Sequence, residues 1–168
     1  NIMEKRYLSV LVANHAGVLA RISSLFCQRG FNIDSLTVSA TDNPEISRIT
    51  IVTSGDEASF LQVKKQTEKL IETKTLFPLN PRTSLLRELL LIKLRSNNEV
   101  RGKINEIARA YKAEIIDVSV GCMVLELTGE PERVDQFLAS LDGLEIVEMC
   151  RTGVTEMERG EATYLLEV

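Results

Sequence analysis

Apolar and polar positions along this chain follow two rhythms, one of period two and one of period near 3.6. Tyr7 to Ala13 (YLSVLVA) is β-rich and almost wholly apolar, as expected of a strand covered on one or both faces. From Val18 to Arg29 the apolar residues Val18, Leu19, Ile22, Leu25 and Phe26 take the spacing of one helical face, and Gly30 supplies a stop. Alternation returns over Ile33 to Ala40 (IDSLTVSA) and Ser47 to Thr53 (SRITIVT), on either side of the turn-rich TDNPE, which predicts a hairpin. Asp56 to Thr73 is charged and helical in period, with Phe60, Leu61, Val63, Leu70 and Ile71 as its core side. LFPLN then supplies a short edge strand, and Pro78 and Pro81 mark a connector.

The same order starts again at Arg87 to Arg95 (RELLLIKLR). A helix is predicted over Asn98 to Tyr111, with Val100, Ile104, Ile107 and Ala108 on its apolar side. EIIDVSV (114 to 120) and CMVLELT (122 to 128) form a hairpin around Gly121. EPERVDQFLASL (130 to 141) opens as a helix with Pro131 in its first turn, and EIVEMCRTG closes as a strand. Each half therefore reads βαββαβ, an α+β chain of two tandem ferredoxin-like domains with antiparallel sheets and helices on one face. The expected division is residues 1–80, a linker at 81–86, a second domain at 87–155 and a tail at 156–168, the tail being an extra strand, a partner-binding segment or disordered.

A shift of 82 positions lays the first copy on the second without a gap from Tyr7 to Val38. Ile22 falls on Ile104, Leu25 on Ile107, Ile33 on Ile115, Leu36 on Val118 and Val38 on Val120. The core positions match, but the first strand-to-helix loop does not: Asn14 falls on Ser96, Gly17 on Glu99, and Asn32 on Glu114. A requirement of the fold appears in both copies, whereas a requirement of a site appears only where the site is. The loop is special to the first copy.

Composition narrows what that loop serves. With 44% hydrophobic and 26% charged residues the chain can form packed cores and has no bias toward disorder. Its net charge is −4, its basic residues are scattered and it has no tryptophan, which argues against a nucleic-acid partner. No apolar run approaches the roughly 18 residues of a membrane span, and the first ten residues lack a signal-peptide pattern, so the chain reads as cytoplasmic. Cys27, Cys122 and Cys150 lie far apart in apolar sequence and form no CxxC pair, so they are expected to act as small hydrophobes rather than as a disulfide or zinc set. No Walker-type loop, no GxGxxG after a strand and no histidine pair is present, and no catalytic residue is assigned. A small enzyme using His15 or Cys27 is the reading that these absences disfavour.

The start of a helix presents backbone N–H groups and a positive dipole end, which favour an anionic group such as a carboxylate. Glycine at that start lets a ligand approach the backbone with no Cβ in the way. Asn14 and Asn32 each donate and accept, which suits a zwitterion, while Val18, Leu19, Ile33 and Leu36 offer an apolar lining. Asn32 precedes the second strand and need not touch Asn14 within one chain, but a dimer pairing these elements brings them together. The plain alternatives are that Asn14 is a helix cap, Gly17 a turn residue and Asn32 a helix exit.

The stretch LSVLVANHAGVLARISSLFCQRGFNIDSLTVSATDNPEISRITIV resembles the small, regulatory subunit of acetolactate synthase (acetohydroxyacid synthase). The strand followed by N-x-x-G-V-L, then L-F-x-x-R-G-F-N-I-x-S-L-T-V, is similar to the N-terminal ACT domain of that family. RELLLIKL, AEIIDVSV, LELTGEPERVDQFLASL and IVEMCRTGV are similar to its C-terminal domain. The resemblance implies a non-catalytic subunit that activates a large catalytic subunit and confers feedback inhibition by a branched-chain amino acid, commonly valine. It implies a homodimer through the ACT domains, with the effector between them. Carried over by motif, Asn14, Gly17, Val18 and Leu19 come from one subunit, and Asn32, Ile33 and Ser35 from the other; the C-terminal domain is the expected contact with the large subunit. Thiamine diphosphate, magnesium and flavin belong to the large subunit, and no cofactor is assigned to this chain. The alternative within the resemblance is an ACT-type amino-acid sensor regulating a different enzyme or a transcription factor.

Overall fold

A computed structural model describes residues 5–163 of the 168. The elements follow in the order β1 (Lys5–Ala13), α1 (Val18–Gln28), β2 (Asn32–Ala40), β3 (Ile46–Ser54), α2 (Glu57–Glu68) and β4 (Thr73–Leu79), then β5 (Ser84–Arg95), α3 (Arg101–Tyr111), β6 (Glu114–Val118), β7 (Cys122–Gly129), α4 (Pro131–Ser140), β8 (Ile146–Arg151) and β9 (Thr155–Glu158). The contacts divide into two units, one of residues up to Leu85 together with those from Val154 onward, the other Leu86–Gly153. The sheet of the first unit has the antiparallel order β2-β3-β1-β4, and that of the second β6-β7-β5-β8, with β9 pairing to β5. Both are the split βαβ arrangement of ferredoxin-like, ACT-type domains. No helix among the described residues is long and apolar enough to cross a membrane.

Alternation builds each core. In the first unit Leu8, Val10 and Val12 of β1 and Ile49 and Ile51 of β3 turn one face toward Val18, Ile22 and Phe26 of α1 and Phe60 and Val63 of α2. On α1 the buried residues stand at i, i+4 and i+8, a stripe narrower than the periodicity suggested, and Leu19 is left exposed. In the second unit Leu90, Ile92, Leu94, Met123, Leu125 and Leu127 pack against Ile104, Ala108, Val134 and Phe137.

Several expectations change. The second helix ends at Glu68, not Thr73, because Thr73 joins β4 and the intervening residues form turns, Leu70 N donating to the Thr67 carbonyl and Thr73 N to that of Leu70. Ile71 is consequently 87% exposed, and Leu61 also faces outward. Cys27 and Cys150 are exposed free thiols and only Cys122 is half-buried, so two of the three are not packing residues. Of the alternatives for the tail, the extra strand is present: Thr155–Glu158 form β9, and Glu156 within it and Val154 just before it are buried. Tail residues 164–168 lie outside the described residues.

Candidate functional site

The loop from Ala13 to Gly17 sits between the end of β1 and the first turn of α1 and is braced from two sides. Ala13 N donates to the Glu72 carbonyl at 2.9 Å and Asn14 N to the Glu45 carbonyl at 2.8 Å. The Asn14 side chain is exposed and its Nδ2 donates to the Pro44 carbonyl at 2.8 Å. That bond commits the amide nitrogen to the β2–β3 turn, while the amide oxygen keeps its capacity as an acceptor. His15 is exposed, with Nδ1 lying 3.2 Å from the Ala16 carbonyl oxygen.

Gly17 is the N-cap of α1 at φ 90° and ψ −16°, a left-handed conformation that glycine adopts without steric cost. No side chain caps the helix there, and a Cβ built on Gly17 would meet nothing within 4 Å. The second copy makes the corresponding start differently. Asn97 Oδ1 accepts from Glu99 N at 2.9 Å and from Val100 N at 3.0 Å, closing the turn that leads into α3, whose N-cap Val100, like Gly17, receives no side-chain cap bond. α1 thus starts from a left-handed glycine, and α3 from an αR valine behind a turn that a side chain closes.

The other predicted residues lie elsewhere. Val18 is 3% exposed and belongs to the core, while Leu19 beside it is 41% exposed. Asn32 pairs with Ser54 across β2 and β3, whereas Asn14 sits level with Glu45 at the far end of β3. The nine residues of β3 separate them by roughly 30 Å at the usual strand rise. Within one chain the two asparagines therefore do not meet. The Asn32 Nδ2 donates to Asp34 Oδ1 at 3.1 Å, and Ser54 Oγ donates to Asp34 Oδ2 at 2.5 Å. Asp34 thus orients Asn32, and it does so from a bulge, since the register slips between Ile33 and Ser35. The bulge puts Ile33 and Leu36 together on the helix face, and turns Ser35, opposite Val52, to the other face. There Ser35 Oγ accepts a hydrogen bond from Val154 N at 3.3 Å.

Sequence reasoning missed the braces. Pro44, Glu45 and Glu72 hold the loop through backbone carbonyls, for which no side-chain type is diagnostic; the turn-rich TDNPE was the only signal. Arg21, one turn into α1, pairs with the Glu72 carboxylate, whose side chain is 6% exposed, and so stands over the same loop. A half-open cavity of about 700 Å³ lies on the opposite face of the sheet, lined by Leu11, Ser39, Ile46, Arg48 and Met157 among others, and none of the predicted site residues reaches it. Among the described residues no group of three or more His, Cys, Asp or Glu is placed to hold a metal ion.

Two family models match the two halves: an AHAS small subunit-like ACT domain over residues 8–75 and the small subunit of acetolactate synthase over residues 87–160. The chain is 40% identical over 158 residues to the acetolactate synthase isozyme 3 small subunit of Salmonella typhimurium, covering 94% of this chain and 97% of that one. It is 43% identical over 156 residues to the probable acetolactate synthase small subunit of Archaeoglobus fulgidus, covering 93% and 98%. Among solved structures, the acetolactate synthase small subunit from Thermotoga maritima superposes with a TM-score of 0.84 at 34% identity, covering 95% of this chain and all of that one. With both halves matched in order and near-complete coverage on each side, the chain belongs to the acetolactate synthase small-subunit family.

Proposed function

We propose that this chain is the non-catalytic regulatory subunit of an acetolactate synthase: it pairs with a second copy, activates a catalytic large subunit and confers feedback inhibition by valine. The observation that carries the effector site is the contrast between the two helix starts. α3 is entered through a turn closed by Asn97, while α1 starts directly at Gly17, which offers its first-turn N–H groups with no Cβ in the way and, nearby, the amide oxygen of Asn14. A carboxylate suits those N–H groups and an ammonium group that oxygen.

The remaining half of the site comes from a partner copy. β2 is an edge strand, so its outer backbone groups are open to pairing. Antiparallel β2-to-β2 pairing brings Asn32 and Ile33 of one copy to the end of the sheet where the other carries Asn14 and Gly17. Leu19 and Val38, 41% and 42% exposed, supply apolar surface at that seam. Valine's isopropyl group fits there, with leucine and isoleucine weaker by about 1 to 3 kcal/mol for the added methylene. In the second unit the edge strands leave Ile116, Val118, Val147 and Met149 exposed, which supports that unit as the contact with the large subunit. Thiamine diphosphate, magnesium and flavin belong to that partner.

Calorimetric titration of the full chain with valine, leucine and isoleucine, paired with sedimentation, tests the reading. Saturable valine binding by a dimer is expected. A monomer that binds none of the three refutes it.

A further inference from the structure

Ser35 carries the family motif but turns away from the seam, and what it touches is the returning C-terminal strand. Polar contacts tie that strand, and Val154 just before it, to the first unit. Val154 N donates to Ser35 Oγ at 3.3 Å, Arg48 pairs with Glu156, and Ser84 Oγ donates to Glu158 Oε1 at 2.8 Å. The contacts are unequal. The Glu156 side chain is fully buried, and its partner Arg48 is itself fixed, with Nε donating to Ser9 Oγ at 3.1 Å and its guanidinium carbon 5.6 Å from the Phe77 ring centroid. Through Arg48 the strand is anchored on β3 and, by way of Ser9 and Phe77, on β1 and β4. It reaches β2 through the Ser35 bond, at the long end of the range for an N–H to oxygen contact.

We infer that β9 is a strap that senses the edge strand β2, with Ser35 acting as a positioning residue that couples effector occupancy to the C-terminal strand, not as an effector contact. The inference rests on the effector reading above. An effector held by Asn32 and Ile33 fixes the residues on one side of the Asp34 bulge, and Ser35 is the first residue on the other side. A bulge is where a strand bends most readily, so a small adjustment at Asn32 and Ile33 moves Ser35 against a strand that Arg48 keeps in place. A shift of a few tenths of an ångström makes or breaks the 3.3 Å bond. The chain reaches Val154 directly from β8 through Thr152 and Gly153, so the state of this bond is passed along the backbone to the second unit.

Amide hydrogen exchange on the full chain, with and without valine, reads both ends of the coupling, and the complex with the large subunit reads its consequence. In the wild type, valine is expected to change protection in β2 and at Val154. In Ser35→Ala the β2 response and the valine affinity persist, the Val154 response is lost, and the activity surviving at saturating valine rises. Ser35→Thr keeps the hydroxyl and restores both. A β2 response with an indifferent Val154 in the wild type overturns the strap. So does a Ser35→Ala chain that loses valine affinity roughly tenfold, which makes Ser35 a direct contact. Absence of any valine response in the first unit refutes the effector reading itself, and the strap with it.

Discussion

Replacing Gly17 separates the two things this residue does, because its backbone and its empty Cβ position are independent. Any L-residue at φ 90° is strained by about 1 to 2 kcal/mol, and Gly17→Ala carries that cost with no charge. The added Cβ meets nothing within 4 Å, so neither alanine nor aspartate clashes with the chain itself. Aspartate at a helix start is favourable by about 0.3 to 1 kcal/mol, so Gly17→Asp should be at least as stable as Gly17→Ala. Toward a bound carboxylate the two differ sharply. Two unit charges about 4 Å apart repel by about 1 kcal/mol in bulk water and about 4 kcal/mol near a protein surface at an effective dielectric of 20. Gly17→Asp should therefore bind valine about fivefold to a thousandfold more weakly than Gly17→Ala, with thermal midpoints matched and activation of the large subunit retained. Calorimetry on both variants and valine inhibition of both complexes measure it. Equal valine affinity in the two variants, or a loss in alanine as large as in aspartate, refutes the carboxylate placement.

Two further outcomes follow from the side chains that close the turn before α3 and cap α2. Asn97→Ala removes the acceptor for Glu99 N and Val100 N, so it should cost about 1 kcal/mol, a fall of about 2 to 4 °C in the thermal midpoint, with valine binding unchanged. Lost valine binding in that variant would place the effector at the wrong helix. At α2, the Ser59 N–H bound to Asp56 holds the carboxyl below its ordinary 3.8. Because the folded value is the lower one, the stabilisation is complete above about pH 4 and disappears as the pH falls through the folded value. Asp56→Asn should flatten the acid limb of stability against pH, followed by thermal unfolding between about pH 2 and 5; an unaltered limb contradicts the cap.

The fold was readable because its elements are long and periodic. Strands such as Leu90, Ile92 and Leu94 alternate cleanly into one core. Difficulty arose where a local rule meets a distant partner. Ile33 and Leu36 share a face although three positions apart, a break in period two that marks the bulge. Helical period runs past Glu68 into Leu70 and Ile71, yet the hydrogen bonds of Leu70 and Thr73 close turns there. The placement of β9 against the first unit was not legible, since the burial of Glu156 depends on Arg48, more than a hundred residues earlier. For the site, Asn14 and Gly17 stood out because the second copy lacks them. Ser35 belonged to the same motif but faces the other way, because the bulge that follows Ile33 turns it there.

The duplication extends to irregularities, which sharpens what the differences mean. The register slips between Leu11 and Val12 and between Ile33 and Ser35 in the first unit, and between Lys93 and Leu94 and between Ile115 and Asp117 in the second. Each pair of sites is related by the same shift of 82. The bonds that close the strand-to-helix loop repeat as well: Ala13 N to Glu72 and Asn14 N to Glu45 in one copy, Arg95 N to Glu145 and Ser96 N to Gly121 in the other. Bulges and loop-closing bonds are therefore requirements of this backbone, satisfied by unrelated side chains in the two halves. Ser96 makes the same backbone bond as Asn14, so the asparagine is not needed to close the loop. Glu99 stands where Gly17 does, in a turn closed by Asn97, and α3 still forms, one residue later in the shared register. A left-handed glycine start is thus one of two available solutions for this fold. Its presence in the first unit fits the proposed effector, whose carboxylate would meet the first-turn N–H groups of α1.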